Sequence, residues 1–376
     1  MLEKHLHIIS LTVPYPADYG GVYDLFYKLR ALQQQGVNIH LHCFDYGRGE
    51  QPTLNKYCAS VHYYKRNTGY QLFLYDLPYI VSSRKNETLL GNLLKDDHPV
   101  LMEGIHCTYL LNDERFADRK KFVRLHNVEY EYYNSLSASS KSPLQKLYFS
   151  RESRLLKKYE QSAAGKADGF FAVSPADRDL YNNIFGCRSI EYLPLFLPAE
   201  WTVKYLQGMG SYCLYHGDLS VQMNENAAVW LMTKIFKELK IPLLIAGKNP
   251  SKKLHRLAES RQQACIVANP TEEIMQDIIA KAHINILPSL STTGIKIKLL
   301  NALYNGRHCV VNTPTVHGTG LEALCHVTDT ADAMKLRIEA LYHQPFTQQE
   351  NEERRAVLSQ MFCNERNAKK MVDMIW

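Results

Sequence analysis

The 376-residue sequence contains nine cysteines but no C-x-x-C pair. An odd number of single, scattered cysteines argues against a disulfide framework and a structural zinc site, and it is typical of reduced, mostly buried thiols. Histidine and cysteine are neighbours at 106–107, 308–309 and 325–326, for example. Because adjacent residues of a strand point to opposite faces, these pairs predict core packing rather than metal ligation.

The sequence also lacks an apolar run long enough to span a bilayer. No signal peptide is recognisable after Met1, because charge and histidine interrupt the first segment and no small-residue cleavage site follows. These two absences predict a cytoplasmic protein. The net charge of +6 is too modest for the dense basic surface of a nucleic-acid-binding protein, although it suits phosphorylated or anionic-lipid partners.

The length and the order of the hydrophobic patterns predict an α/β protein of two domains. The chain begins with a predicted strand at 7–13, a loop at 14–21, a helix at 22–35 and a strand at 37–44. Further strands of the first half are predicted at 61–64, 100–103, 121–125 and 169–173. This alternation of strand and helix is typical of a parallel sheet.

The second half repeats the alternation after a proline-containing crossover at 192–201. Its predicted strands lie at 212–215, 242–246 and 264–267, and its predicted helices at 225–239, 251–262 and 272–282. We therefore expect two doubly wound, Rossmann-like domains, at 1–198 and 199–360. A helix at 361–376 is expected to cross back to the first domain.

A strand, loop, helix and strand unit is predicted near the end of the second half. Its parts are an apolar strand at 284–287, polar residues at 289–293, helical spacing from Gly294 to Asn305, and a strand at 309–311. In parallel sheets, ligands bind beyond the carboxyl ends of the strands and beside helix N-termini. This loop is therefore a candidate binding site.

The start of that helix has the chemistry of an anion site. Free backbone N–H groups around Gly294 to Ile297 suit a pyrophosphate, and Gly294 would let it come close. Lys298 and Asn301 follow about one and two turns later, so all three can share one helix face. They predict a phosphate contact, a countercharge and a partner for a sugar hydroxyl. In the alternative interpretation, Gly294 only starts a helix and Lys298 is a solvated surface charge.

A predicted helix at 141–160 mixes basic residues with leucines and aromatic residues. This composition is suited to an anionic membrane surface or a lipid-linked acceptor. The alternative is a solvated helix that is packed through its leucines.

The sequence Asp177-Arg178-Asp179 matches the D-x-D pattern that is used for metal-bound nucleotide sugars. Ser174 and Pro175, however, predict a helix start here, where carboxylates favour the helix dipole. No metal ion or other cofactor is therefore predicted.

With these motifs in order, the sequence resembles the retaining glycosyltransferases of the GT-B fold, family 4-like, in the glycosyl transferases group 1. The resemblance covers nearly the whole chain and is carried by segments such as "PYPADYGGVYDLFYKLRALQQQGVNIHLHCF", "VRLHNVEYEYYNSL", "YCLYHGDLSVQMNENAAVWL" and "GIKIKLLNALYNGRHCVV". It implies two domains that face each other across a cleft, a nucleoside diphosphate sugar as donor, and a glycan or lipid-linked acceptor. A bacterial surface-polysaccharide pathway is the family expectation.

In the first domain, the resemblance implies that Gly20 and Gly21 form a loop whose N–H groups approach the donor phosphates. It implies that His126 is a catalytic residue near the transferred sugar. The acceptor side is expected at Glu103, Asn127 and Glu129.

In the second domain, the resemblance implies a donor site made of Gly217, Lys248, Thr293, Gly294, Ile295, Lys298 and Asn301. Many relatives carry two glutamates eight positions apart, where this chain has Thr293 and Asn301. Asparagine lacks the charge that would strengthen contacts to a ribose diol. Because no basic residue follows the first strand of this domain, phosphate neutralisation is expected from Lys298, with Lys296 as a second candidate.

The implied reaction needs no metal, because Lys298 and backbone N–H groups stabilise the leaving diphosphate. In a retaining reaction, the leaving phosphate oxygen takes the acceptor proton. An inverting enzyme would need a base, for which the candidates are Asp24, His126 and Glu103. Two other functions stay open: a sugar-nucleotide epimerase or hydrolase, and a non-catalytic GT-B subunit. A nicotinamide dehydrogenase is disfavoured, because no G-x-G-x-x-G follows the first strand.

Overall fold

The computed structural model describes residues 3–17, 20–45, 47–69, 76–140 and 142–376. The chain divides into two compact units, one made of Met1–Ala199 with Phe362–Trp376 and the other of Glu200–Met361. Each unit contains one sheet in which all paired strands are parallel. The predicted doubly wound α/β fold is confirmed, whereas the cleft between the domains stays a prediction.

The strands of the first unit are β1 Lys4–Ser10, β2 Val37–Asp45, β3 Ser60–Lys65, β4 Val100–Glu103, β5 Lys121–Leu125, β6 Gly169–Ala172 and β7 Ile190–Tyr192. Those of the second unit are β8 Cys213–Asp218, β9 Leu243–Lys248, β10 Ala264–Ala268, β11 Ile284–Ile286, β12 His308–Val311 and β13 His326–Val327.

The first helices along the chain are α1 Gly20–Gln34, α2 Tyr79–Ser82, α3 Glu87–Leu93, α4 Glu129–Ser139, α5 Pro143–Ala163 and α6 Pro175–Phe185. The later helices are α7 Gln222–Trp230, α8 Lys252–Glu259, α9 Glu272–Lys281, α10 Ile297–Asn305, α11 Thr313–Val316, α12 Ala331–Tyr342, α13 Gln348–Met361 and α14 Asn364–Ile375. None of the described helices is both long enough and apolar enough to cross a bilayer.

The two sheets share one strand order. The first runs β3-β2-β1-β4-β5-β6-β7 and the second β10-β9-β8-β11-β12-β13. In each, the winding direction reverses beside the first strand, between β1 and β4 and between β8 and β11. Ligands of open parallel sheets bind at such a reversal, outside the carboxyl ends of the strands. The second reversal lies where the sequence predicts the donor site.

Two boundaries of the first unit differ from the prediction. Strand β1 covers Lys4–Ser10 rather than 7–13, because the pairing with β2 begins at Lys4 and ends at Ser10. Helix α1 begins at Gly20, so Gly20 and Gly21 form its first turn rather than a loop. The predicted loop at 14–21 includes residues 18 and 19, which lie outside the described residues.

Two helices of the second unit also begin elsewhere than predicted. Helix α7 begins at Gln222 and continues as a π-helical turn over Leu231–Ile235, in place of a single helix at 225–239. Helix α10 begins at Ile297 rather than Gly294. Gly294 has a φ of +66°, which is left-handed and cannot belong to a right-handed helix. Gly294 therefore lies in the preceding turn and does not share a helix face with Lys298.

The last helix belongs to the first unit. Met371 and Ile375 of α14 are buried in the same core as Leu25 and Leu29 of α1. Asn364, the first residue of α14, donates from Nδ2 to the carbonyl oxygen of Leu197 at 2.7 Å. The chain thus returns to the first unit after α13.

Candidate functional site

The carboxyl ends of β8 and β9 approach each other closely. A Cβ atom added to Gly247 would lie 1.8 Å from the carbonyl oxygen of Gly217, so only glycine fits there. A Cβ atom at Gly217 would lie 3.5 Å from Asn224 Nδ2 and 3.8 Å from Lys298 Cδ. The structure therefore brings two of the predicted donor residues, Gly217 and Lys298, to one place.

Lys298 is partly buried beside this glycine. Its Nζ atom lies 3.0 Å from Asn224 Oδ1, 3.4 Å from the hydroxyl of Tyr215 and 4.9 Å from the centre of the Tyr215 ring. Burial, followed by repulsion from Lys296, lowers the pKa of Lys298 to about 7. The interpretation of Lys298 as a solvated surface charge is therefore wrong.

The side chains in contact with this lysine are neutral. Asn224 is oriented by its Nδ2 atom, which donates to the carbonyl oxygen of Asp218 at 2.8 Å, so its Oδ1 atom faces Lys298. His216 is buried, and burial with the charge of Lys298 lowers its pKa to about 3. A cation among neutral groups attracts an anionic ligand more strongly than a lysine already paired with a carboxylate.

The turn before α10 is held by its own polar groups. Lys296 Nζ donates to the carbonyl oxygens of Thr293 and Gly294 at 2.7 and 3.1 Å. Thr293 is buried, with its hydroxyl 3.4 Å from that of Ser291. Lys296 thus stabilises the turn, which makes it a poorer candidate than Lys298 for neutralising a phosphate. Ile295, between Gly294 and Lys296, is half-buried.

The other two predicted donor residues differ in exposure. Asn301 is buried, and its Oδ1 atom accepts hydrogen bonds from Gln276 Nε2 at 3.0 Å and Asn305 Nδ2 at 2.9 Å. Asn301 was predicted to accept a hydrogen bond from a ribose hydroxyl, which is disfavoured because its Oδ1 atom already accepts two. Its Nδ2 atom can still donate. Lys248 is exposed at the end of β9, in register with Asp218.

A cavity of about 360 Å³ lies beside the same loop. Its apolar lining includes Trp230, Leu290 and Met334, and its polar lining includes Asn312 and Asp329. The sequence patterns did not indicate this cavity, because its walls come from α7, α12 and three separate loops.

In the first unit, His126 belongs to a buried network of charges. Lys28 Nζ lies 3.1 Å from Asp24 Oδ2 and 2.7 Å from Glu103 Oε1. Arg124 contacts both carboxylate oxygens of Asp24 at 3.1 Å. His126 Nε2 lies 2.9 Å from Glu103 Oε2, and its side chain is 11% exposed. His126 is therefore the member of this network that a ligand can reach.

The two carboxylates of the network are held ionised. Burial would raise the pKa of Asp24, but Arg124 and Lys28 outweigh it and lower that pKa. Burial is likewise outweighed at Glu103, where Lys28 and the hydrogen bond of His126 lower the pKa. Both side chains are fully buried, so neither is placed to contact an acceptor directly. The expectation that Glu103 lies on the acceptor side is therefore disfavoured.

The remaining acceptor-side residues lie at the start of α4. Glu129 is buried, and burial together with Glu160 raises its pKa to about 8, so it is largely protonated at neutral pH. Asn127 donates a side-chain hydrogen bond to Glu129. Burial also raises the pKa of Glu160 to about 7, although the N–H groups of Glu129 and Tyr130 bind it. Glu160 therefore holds the start of α4, and the Glu129 side chain is buried beside it rather than facing solvent.

Sequence reasoning missed the residues that surround the predicted ones. Asn224 and Tyr215 contact Lys298 from far along the chain, and Lys28 and Arg124 bind the carboxylates beside His126. The sequence around Asn224 offers one indication, because this residue follows the carboxyl end of β8, where the donor site is predicted. The others have none, because a single lysine, arginine or tyrosine in a strand or helix is not distinctive.

Residues 210–344 match the family model described as Glycosyl transferases group 1. A curated relative from Klebsiella pneumoniae, described as an uncharacterized 44.6 kDa protein in cps region, is 25% identical over 338 residues. The match covers 83% of this chain and 84% of the relative.

Solved structures share the architecture of the whole chain. Anabaena Alr3699/HepE, solved in complex with UDP and glucose, has a TM-score of 0.66 and 11% identity, over 98% of this chain and 99% of its own. WaaG, described as a glycosyltransferase involved in lipopolysaccharide biosynthesis, has a TM-score of 0.66 and 14% identity over the same shares. At such identities the likeness shows the fold, which is GT-B.

Proposed function

We propose that the chain is a glycosyltransferase of group 1, which moves a sugar from a nucleoside diphosphate sugar to a hydroxyl of a glycan or lipid-linked acceptor. The observation that carries the donor class is Lys298, a partly buried cation with neutral partners at the carboxyl edge of β8. Gly217 leaves room beside the backbone there, since a side chain at this position would point toward Asn224 and Lys298, and Gly247 lets β9 approach it closely.

Two of the similar proteins support the details of this proposal. HepE was solved with UDP and glucose, which favours a uridine diphosphate sugar as the donor. The Klebsiella relative is described as a protein of a cps region, which favours a role in surface-polysaccharide biosynthesis.

In the proposed reaction, the bond between the sugar and the diphosphate breaks while the acceptor hydroxyl attacks. Negative charge develops on the leaving diphosphate, and Lys298 with backbone N–H groups stabilises it. We propose retention, with the leaving phosphate oxygen taking the acceptor proton, so that no metal ion is needed. Were the reaction inverting, His126 would be the base, because Asp24 and Glu103 are buried in ion pairs.

A second candidate function is a non-catalytic nucleotide-binding subunit. It is favoured by the donor turn, where the buried Thr293 replaces the carboxylate of relatives and the Oδ1 atom of Asn301 is already hydrogen-bonded. Such a subunit would bind the diphosphate but would neither transfer nor hydrolyse the sugar.

Calorimetric titration of UDP, GDP, dTDP and ADP, each with and without its sugar, tests the proposal. We expect one diphosphate to bind with a dissociation constant of about 1–100 μM, which corresponds to roughly 5–8 kcal/mol. An acceptor screen with that donor then separates transfer from mere binding. If none of the four binds, Lys298 has a structural role and the proposed donor class is wrong.

We further propose that α5 contacts an anionic membrane that carries the acceptor. Leu144 is 80% exposed and Leu147 is 70% exposed near the beginning of this helix, although leucine packing was the alternative prediction. Basic residues follow along the same helix at Lys146, Arg151, Arg154 and Lys157. Exposed leucines beside basic residues are typical of helices that lie on an anionic surface.

The Leu144→Glu/Leu147→Glu double variant is expected to bind vesicles of anionic phospholipid at least about tenfold more weakly, because it loses apolar insertion and gains like charge. Co-sedimentation with such vesicles measures the effect. Leu336→Glu is the matched control, because Leu336 is 68% exposed on α12 of the other unit. Equal vesicle binding by wild type, the double variant and Leu336→Glu would contradict a membrane role for α5.

A further inference from the structure

At the amino edge of the second sheet, opposite the edge where Gly217 and Lys298 meet, two histidines face a glutamate. His308 is the first residue of β12, and His326 is the first residue of β13. His326 pairs in register with Val310, two residues beyond His308, so both imidazoles lie on one face with ring centres 5.5 Å apart. Glu350 approaches from the first turn of α13, and one ligand atom from each residue lies within 4.8 Å of the others.

His308 presents a lone pair to this cluster. Its Nε2 atom lies 3.1 Å from the carbonyl oxygen of Gln344, so that nitrogen must donate. In the neutral imidazole the Nδ1 atom then carries only a lone pair. His308 is 2% exposed, its Nδ1 atom makes no hydrogen bond to the described residues, and that atom lies 3.3 Å from Glu350 Oε1. In this neutral form two acceptors face each other, an arrangement that either a proton on Nδ1 or a metal cation between the two atoms would stabilise.

Glu350 is held in this orientation by a capping interaction. Its Oε2 atom accepts hydrogen bonds from the N–H and the hydroxyl of Thr347, both at 2.8 Å. This is one half of a capping box, in which the glutamate binds the residue before the helix. The other oxygen, Oε1, is left to point toward the two histidines.

His326 completes the set from the side that solvent can reach. It lines a cavity of about 480 Å³ together with His308, Glu350 and Glu353. The cavity offers space for a water ligand and a path of entry.

One nearby cation is already engaged elsewhere. Arg354 donates to the carbonyl oxygens of Gly306 and Arg307 and stacks over the Phe346 ring at 4.5 Å. Its charge weakens the site but does not pair with Glu350. Glu353, one turn beyond Glu350, adds a compensating carboxylate to the same cavity.

We propose that His308, His326 and Glu350 bind a divalent transition-metal ion of the Zn²⁺ class, with a water molecule from the cavity as the fourth ligand. Two imidazoles and one carboxylate are a ligand set that Zn²⁺ accepts at about 2.0–2.2 Å, so binding would draw the three side chains together. The hydrogen bonds to Gln344 and Thr347 are the outer contacts that orient metal ligands in proteins.

This site is unrelated to donor binding, because it occupies the opposite edge of the sheet. The ion would join β12, β13 and α13, and α13 is the last helix before the chain returns to the first unit. Its effect would be to stabilise the folded second unit, as any ligand that binds only the native state does. The adjacent His–Cys pairs in the sequence predicted core packing rather than metal ligation. The proposed ligand set does not use such a pair, because it takes one histidine from each of two strands.

Metal-free protein, prepared with a chelator, is to be titrated with ZnCl₂ by calorimetry and then heated with and without the ion. We expect one equivalent of Zn²⁺ that raises the melting temperature of wild type, and whose dissociation constant rises at least about tenfold in His326→Ala and in Glu350→Gln. Glu350→Gln keeps the capping box, because glutamine serves there as well. His343→Ala is the matched control, because His343 is an exposed histidine directly after α12 in the same unit.

A second cluster of ligands requires its own control. His5, His40 and His98 of the first unit also bring three ligand atoms within 4.8 Å of one another. His98→Ala therefore identifies any equivalent that binds there. The proposal is overturned if wild type binds no Zn²⁺, or if His326→Ala and Glu350→Gln keep the affinity and the thermal stabilisation of wild type.

Discussion

Replacing Lys298 with alanine is expected to weaken binding of the nucleoside diphosphate by at least about a hundredfold. The side chain is a partly buried cation whose partners, Asn224 and Tyr215, are neutral, so its charge is available to the ligand. Removing one partner of a buried charge pair costs roughly 2–5 kcal/mol. The turnover number should fall as well, by about 10²–10³-fold, because the same charge stabilises the leaving diphosphate.

Calorimetry and initial rates measure the two effects. Lys252→Ala is the control, because Lys252 is an exposed lysine at the start of α8 in the same unit. A Lys298→Ala protein that both binds the diphosphate as tightly and turns over as fast as Lys252→Ala would remove Lys298 from the donor site. Loss of turnover with unchanged binding would instead assign it to the transition state alone.

The pH dependence of binding follows from the same lysine. Its pKa of about 7 means that it is about half charged in the free protein at neutral pH. A bound diphosphate favours the charged form and raises that pKa, so binding takes up a proton when the solution is more alkaline than pH 7. We expect the dissociation constant to rise with pH above 7, by up to about tenfold per unit.

Calorimetry at pH 8 in two buffers of different ionisation enthalpy measures the proton uptake directly. A nucleoside diphosphate has lost its last proton by that pH, because phosphate monoesters titrate near pH 6. The uptake should vanish in Lys298→Ala. Uptake that persists in the variant would mean that another group carries the proton.

The sequence predicts the part of this site that depends on local pattern. Alternating strands and helices, the polar loop after β11 and the lysine that follows it all lie within one segment, so their order indicates a binding loop. The conformation of Gly294 was not predictable, because a glycine is equally compatible with a helix start and with a left-handed turn. The fold was the easier inference, since many elements support it together.

The site residues that the sequence did not indicate have partners that lie far away along the chain. Asn224 and Lys298 are 74 positions apart, and Asp24 and Arg124 are 100 positions apart. Only the strand order of each sheet brings such pairs together. The family resemblance therefore implied a role for His126, but neither it nor the sequence pattern indicated the buried ion pairs that position this residue.

Replacing Arg124 with methionine is expected to destabilise the first unit by about 3–5 kcal/mol, which is the usual cost of removing one partner of a buried ion pair. Two carboxylates, Asp24 and Glu103, are balanced by two cations, Lys28 and Arg124. Without the guanidinium, two buried negative charges face one ammonium. The carbonyl oxygens of Leu193 and Pro194 also lose the hydrogen bonds that Arg124 donates at 2.6 and 3.1 Å.

Urea unfolding, followed by a probe in the first unit, measures this cost. Arg115→Met is the matched control, because Arg115 forms an exposed ion pair with Asp113 at 2.6 Å, and exposed ion pairs contribute little to stability. The double variant Asp24→Asn/Arg124→Met should recover part of the loss, since it removes the unpaired charge together with its partner. Equal stabilities of Arg124→Met and Arg115→Met would show that the network does not hold the first unit together.

The stability of this network should also depend on pH in a definite direction. The folded-state pKa values of Asp24 and Glu103 lie below their ordinary values, so the folded protein binds fewer protons than the unfolded chain in acid. Their contribution is therefore complete above the ordinary carboxyl pKa values of about 4 and is lost as the pH falls below them. Arg124→Met should flatten this acid dependence, because the guanidinium is the strongest attraction that keeps Asp24 ionised. An acid dependence as steep in Arg124→Met as in wild type would place the responsible carboxylates outside this network.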